Sequence, residues 1–234
     1  MNKAMFFLIL LILHLFIAKL EEISAKETAS QQATKQVTKV KQTYINLFEQ
    51  TIGEKETNLH NTEIELLKNP KWQKANKIAI EKYIQKTHQK IQPEEAHLLA
   101  ELVVKISTNH LIDPKFAAAL VSAESGFNAK ARNKSGASGL GQLMPSTSRR
   151  LGVKNPLDAE DNLKGTYKYI QNLSNFYENN PKKLSFIIGG YLKGTNAIQN
   201  EKSMVSRYTL NYIRQVLTIY RHLHEMSERE KGES

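Results

Sequence analysis

Hydrophobic positions recur along most of this chain at helical spacing, and no stretch alternates convincingly with the period of two that a half-buried strand needs. The first apolar segment is a continuous run. Residues 5–18 are a run of 14, apolar except for His14, and Met1-Asn-Lys3 precedes them. That is short for a membrane span and suits the core of a signal peptide. Ala18 and Ala25 are the candidate cleavage points. Neither has an ideal small residue two positions earlier, so an uncleaved anchor stays open.

Lys26 to Gln42, rich in Lys, Thr, Gln and Ala, has no apolar period and reads as a polar tether or weak helix. From Tyr44 to about Ile91 the pattern is helical and highly charged. Ile45, Phe48 and Ile52 form one stripe, Ile64 and Leu67 another, and Trp72, Ile78 and Tyr83 a third, with Pro70 and Pro93 as natural breaks. Nothing in this region carries chemistry; packing or partner binding is all it suggests.

The second half places four helices more firmly. Glu94 to about Asn109 carries Leu98, Leu102 and Ile106 at intervals of four. Asp113 caps a helix that begins at Pro114, runs through Phe116 and Leu120, and stops at Gly126, where a left-handed residue is expected. Asp158 opens a longer helix, with Asp161 as a capping-box-like partner and an inward stripe of Leu163, Tyr167, Ile170, Leu173 and Tyr177. The last runs from about Ser203 to His222, with Tyr208, Tyr212, Val216 and Ile219 or Tyr220 turned inward. Pro145 opens a further short helix that Gly152 ends. The class is all-α. Nine of the 11 glycines fall between Gly126 and Gly194, so tight turns are concentrated there.

Composition narrows the chemistry. Among 234 residues 40% are hydrophobic and 24% charged, which excludes wholesale disorder. A net charge of +10 suits an anionic partner, but the basic residues are mixed with acids and no nucleic-acid motif is present, so nucleic acid is not expected. The absence of cysteine removes disulfides, thiolate metal sites and cysteine nucleophiles. The seven histidines include no HExxH pattern, and His222 and His224 sit among charges at a helix end; neither a metal nor another cofactor is expected.

One carboxylate stands out. Phe116, Leu120 and Glu124 are spaced i, i+4, i+8, which puts Glu124 on the face of two large apolar residues. Burial there raises a carboxyl pKa, and a position in the last turn, at the negative end of the helix dipole, raises it further. A protonated Glu near neutral pH is what a general acid needs. On spacing alone, the commoner reading is a carboxylate at a frayed helix end, facing water or pairing with Lys130 or Arg132. The residues that follow decide against it.

Glu124-Ser-Gly-Phe-Asn128, followed by Gly136-Ala-Ser-Gly-Leu-Gly-Gln-Leu-Met-Pro145, resembles the soluble lytic transglycosylase domain. That domain has a lysozyme-like fold related to goose-type lysozyme, and its pattern reads E-S-x-F-N/D, then G-A-x-G-L-M-Q-[LIV]-M-P. Leu151-Gly-Val with Pro156-Leu-Asp158, and Arg207-Tyr-Thr-Leu-Asn-Tyr212-Ile, which is similar to the family's E-T-x-x-Y-V block, extend the resemblance over about Glu94 to Leu223. The chain departs from the pattern where the family has A-Y-N-A-G-P. Here Gly190-Tyr191-Leu192-Lys193-Gly194-Thr195 keeps the tyrosine and the glycine but loses the asparagine and the proline. Gly141 also stands for the usual Met, and Asn133 for the usual Ser.

The resemblance implies a peptidoglycan lytic transglycosylase acting on glycan strands, with Glu124 as acid and then base. It implies substrate contacts from Ser125, Gln142, Met144, Tyr191 and Tyr212, with Tyr191 holding or polarising the acid. Asp113, Asp158 and Asp161 read as caps, so no second catalytic acid is evident. The rivals are a lysozyme-type hydrolase, and a wall-binding module of a cell-envelope assembly whose catalysis Leu192 has weakened. The expected organisation is a signal peptide or anchor over 1–25, a polar tether and charged helical extension over 26–93, the lysozyme-like domain over 94–223, and a polar tail over 224–234. Export to the periplasm or cell envelope follows, with membrane contact only if the first segment is uncleaved. The charged extension is read as a docking surface for a secretion or motility machine.

Overall fold

Four prolines each stand at the start of a helix in the computed structural model, which describes residues 65–198 and 206–232. The readings placed on residues 1–64 and on the start of the last helix near Ser203 lie outside the described residues. The helices are α1 (Pro70–Thr87), α2 (Pro93–Asn109), α3 (Pro114–Ser125), α4 (Pro145–Leu151), α5 (Ala159–Phe176), α6 (Lys183–Lys193) and α7 (Arg207–Gly232). Among the described residues there is no strand, only isolated bridges pairing Arg132 with Ser138 and Ser138 with Leu143. Nor is any helix there long and apolar enough to cross a membrane.

Proline suits the first turn because its missing N–H would have no partner there. The caps supply the rest. Asn69 accepts from the backbone N–H of Lys71 and Trp72, Asp113 from that of Lys115, and Asp158 from that of Asp161. The expected box at α5 is not reciprocal. Asp161 turns outward to accept from the N–H groups of Lys154 and Asn155, at 2.8 and 2.7 Å, and so ties the preceding loop to the helix. Gly126 and Gly152 end α3 and α4 with φ of 57° and 81°.

Helix α3 is the centre of the unit. Its residues from Pro114 to Ser122 are all buried, and the alanines at 117, 118 and 119 let α1, α2 and α7 approach closely around it. The inward stripe expected on α5 is the one observed. Two others are rotated. On α2, Leu98 is 61% exposed, while Ala96, Leu99, Ala100, Val103 and Val104 are buried. Helix α2 packs against α1, α3 and α5, so its buried face is wide and is built from small and β-branched residues that a Leu-by-fours reading passes over. On α7, Tyr208 faces out, and Leu210, Ile213, Val216 and Leu217 face in. That helix also continues past His222 to Gly232, with Leu223 and Ser227 fully buried.

The reason is a polar knot between α1, α3 and α7. The buried Lys115 ammonium lies 3.0 Å from Asp113 Oδ1 and 3.2 Å from Asn76 Oδ1, with the Trp72 ring 4.6 Å away. Ser227 donates to the same Asn76 oxygen at 3.0 Å. Tyr220 donates to Asp113 Oδ2 at 2.9 Å. Part of the expected charged extension, α1, is thus an integral wall of this unit. Lys115→Ala, which leaves Asn76 and Asp113 without their buried cation, is expected to lower unfolding free energy by about 3 kcal/mol, read by urea denaturation.

Candidate active site

Glu124 occupies the last turn of α3, where the left-handed Gly126 and the following Phe127 (φ 61°) turn the chain sharply away. Phe127 is fully buried, and its ring meets those of His88 and Tyr83 edge-on, with centroids 5.6 and 6.5 Å apart. Behind the same turn, Ser122 is bonded to Tyr83 Oη at 2.9 Å and His88 Nε2 at 3.1 Å. A carboxylate on this turn is held by a packed wall and not by a fraying end.

Burial raises the Glu124 carboxyl from the ordinary range to about 7, against the opposing effect of a hydrogen bond donated by Tyr212 Oη to Glu124 Oε1. Neither Lys130 nor Arg132 pairs with it; Lys130 instead donates to the Leu157 carbonyl at 3.1 Å. Burial, together with the nearby Glu124 charge, holds the Tyr212 and Tyr191 hydroxyls well above the usual tyrosine range, so both stay protonated donors. A carboxyl titrating near neutral pH can give a proton and take one back with little cost either way.

The roles expected of the two tyrosines are divided differently in the structure. Tyr212 is the residue that bonds the acid. Tyr191 donates to the Gly141 carbonyl at 2.6 Å and so ties α6 to the glycine loop. Ser125 turns back along α3 to donate to the Val121 carbonyl. Met144, the residue before α4, is 41% exposed and so is not core. Gln142 adopts φ 47° and commits its Nε2 to the carbonyls of Ala131 and Gly139, at 3.2 and 3.0 Å; only its Oε1 is left to meet a ligand.

The loop from Gly136 to Leu143 owes its shape to a residue the sequence reading passed over. Asn162 on α5, fully buried, accepts from the Gly141 N–H at 2.8 Å and donates to the carbonyls of Ser138 and Pro156 at 3.0 and 2.9 Å. Thr166, one turn on, donates to its Oδ1. Space is as tight as the bonding. A Cβ at Gly141 would lie 2.0 Å from Thr166 Oγ1 and 2.8 Å from Tyr191 Oη, and one at Gly139 would lie 2.0 Å from the Pro156 carbonyl. The available signal was an Asn beside Leu163, with Gly165 and Thr166 following, on the face of α5 that carries the apolar stripe.

Asp113, Asp158 and Asp161 are all engaged in caps or loop bonds, as described above. Among the described residues no group of three or more His, Asp or Glu is placed to hold a metal ion. Leu192, at the position of the missing asparagine, is half-buried.

Two measurements test this electrostatic picture. Tyr212→Phe removes a bond that favours the ionised carboxylate, so Glu124 is expected to titrate above pH 7 in a carboxyl NMR titration. Glu124 also couples stability to pH. Its pKa is about 7 in the fold against an ordinary 4.5, so its ionisation costs nothing below pH 4.5 and progressively more as pH rises toward 7. Glu124→Gln is therefore expected to match the parent's melting temperature at pH 4.5 and exceed it at pH 8, by up to about 3 kcal/mol in stability.

The family described as Transglycosylase SLT domain matches residues 101–212. The transglycosylase of Enterobacteria phage PRD1 is 33% identical over 87 residues, which is 37% of this chain and 33% of that protein. The membrane-bound lytic murein transglycosylase F of Shewanella woodyi is 28% identical over 103 residues, covering 43% of this chain and 22% of that one. The match therefore spans a third or less of the length of these curated relatives. The solved 70 kDa soluble lytic transglycosylase of Escherichia coli superimposes with a TM-score of 0.47 at 19% identity, over 62% of this chain and 29% of that chain. From within α2 to the Tyr212 turn of α7, residues 101–212 of this chain match the Transglycosylase SLT domain family.

Proposed function

We propose that this protein is a peptidoglycan lytic transglycosylase in which Glu124 serves first as acid and then as base. The observation that carries the reading is a single carboxyl held near pKa 7 by burial and oriented by one tyrosine. The family match over residues 101–212 and the names of the relatives support the substrate class.

The reaction cleaves the β-1,4 bond between N-acetylmuramic acid and N-acetylglucosamine. Glu124 gives its proton to the bridging oxygen as the bond from muramic C1 breaks, and the leaving sugar departs with a new hydroxyl. The substrate's own N-acetyl oxygen stabilises the positive charge on C1, which places this chemistry among the substrate-assisted exceptions to the two-carboxylate scheme. The muramic C6 oxygen then closes on C1, and its proton passes to the Glu124 carboxylate. The products carry a 1,6-anhydro end, no water is consumed, and the enzyme regains its starting proton.

Tyr212 and the glycine loop have separate parts in this scheme. Tyr212, always protonated in its buried setting, keeps Glu124 Oε1 in place while the charge on the carboxyl changes. The Asn162–Gly141–Tyr191 linkage fastens the glycine loop to α5 and α6, and Gln142 Oε1 and Met144 meet the sugars from it. Because the polymer lies outside the cytoplasmic membrane, the reading carries with it an export role for residues 1–25.

Digestion of purified sacculi, with products resolved by mass spectrometry, tests the proposal. Anhydro-muramyl ends are expected from the parent protein and are expected to fall by at least about a thousandfold in Glu124→Gln. The rate is expected to decline above pH 7, where the acid is ionised. Reducing ends in place of anhydro ends would make the protein a hydrolase, and binding of sacculi without any soluble product would make it a wall-binding module.

A further inference from the structure

The most exposed large apolar side chain among the described residues is an aromatic one next to the site. Tyr208 is 67% exposed, yet it stands on a rigid turn. Thr209 and Leu210, which follow it, are buried, and Ser206 Oγ is bonded to Thr209 Oγ1 at 2.7 Å across the first turn of α7. Its spacing of four from Tyr212 puts both rings on one side of α7, a turn apart. Helical side chains lean toward the N-terminus, so Tyr208 extends this side beyond the Tyr212–Glu124 pair. The Tyr212 hydroxyl feels the Tyr208 hydroxyl electrostatically, as it feels Tyr191 and Glu124. The family block that this stretch resembles, E-T-x-x-Y, has an acid where Tyr208 stands.

We propose that Tyr208 is a substrate-binding residue of this chain, stacking its ring on a pyranose of the glycan strand next to the bond addressed by Glu124. An acid at this position offers hydrogen bonds but no flat apolar face. A tyrosine presents a face that the C–H side of a sugar ring can cover, with a hydroxyl at the edge for the sugar's own hydroxyls. Ordering costs little, because the ring has two torsions and its backbone is already fixed. The half-buried Leu192 removes one polar contact expected from the resemblance, and Tyr208 supplies an apolar one on the neighbouring helix. The proposal rests on the transglycosylase reading of Glu124 for the identity of its ligand.

Binding of a defined, unbranched tetrasaccharide of alternating N-acetylglucosamine and N-acetylmuramic acid to the full chain tests it, in a Glu124→Gln background that prevents turnover. Tyr208→Ala and Tyr208→Glu are expected to weaken binding about tenfold, and Tyr208→Trp to retain it. With Glu124 intact, Tyr208→Ala is expected to raise KM by a similar factor, with kcat and the decline above pH 7 unchanged. A melting temperature equal to the parent's is expected, since the side chain is exposed. Unchanged affinity in Tyr208→Ala overturns the proposal, as does a loss that falls on kcat or moves the pH profile. Tyr208-dependent binding without any turnover by the parent protein supports the stacking role and removes the transglycosylase reading alone. No binding by any variant removes both.

Discussion

Helices α3 and α7 run antiparallel and are fastened to each other at both ends, each time by a tyrosine of α7 donating to an acid of α3. Tyr220 reaches Asp113 at the N-terminal end of α3, and Tyr212 reaches Glu124 at its last turn. Between them Phe116 and Tyr220 meet edge-on, 5.9 Å apart. The two fastenings use the same donor and differ in what surrounds the acceptor. Asp113 has the Lys115 ammonium at 3.0 Å and a backbone N–H to cap. Glu124 has an apolar wall and, among the described residues, no cation. The first joint holds the helices in register, and the second keeps a proton at neutral pH because burial outweighs the tyrosine's bond.

The rest of the unit brings the glycine loop to that second joint and keeps it still. A loop of this kind has few side chains with which to pack, so its position is set by backbone groups. Asn162 serves two of them, together with the Pro156 carbonyl before α5, from one buried amide, and Tyr191 serves a third. Buried polar groups that are fully satisfied rigidify their surroundings, and partly satisfied ones would not. Gly139 and Gly141 are needed because α5 and its preceding loop come so close that a methyl group has no room.

Features set by local chemistry were legible in the sequence. Pro114 with Asp113, and Gly126 and Gly152 as terminators, bound their helices correctly because caps and left-handed positions depend on neighbouring residues only. The environment of Glu124 followed from its spacing to Phe116 and Leu120, both buried. What could not be read depends on which other elements surround a helix. The wide face of α2, built from Ala96, Ala100, Val103 and Val104, follows from its three packing partners. The outward turn of Tyr208, the onward run of α7 to Gly232 and the linkage through Asn162 likewise follow from contacts more than 20 positions away in sequence. The division of work between Tyr191 and Tyr212 belongs to the same class, since both are aromatic residues on apolar helices and only their partners tell them apart.

The knot around Lys115 has a bearing on how this fold can be cut from, or joined to, other chains. The region that matches the family begins within α2 and stops at Tyr212. Asn76 and Trp72, which receive the lysine, lie before it, and Ser227, which braces Asn76, lies after it. A fragment excised at the recognisable boundaries would keep Glu124 and Tyr212, lose Tyr83 and His88 from the wall behind that turn, and leave the Lys115 ammonium with Asp113 alone of its partners. The unit that can be transplanted is therefore larger than the unit that can be recognised, and its two flanking helices travel together because one polar side chain needs both.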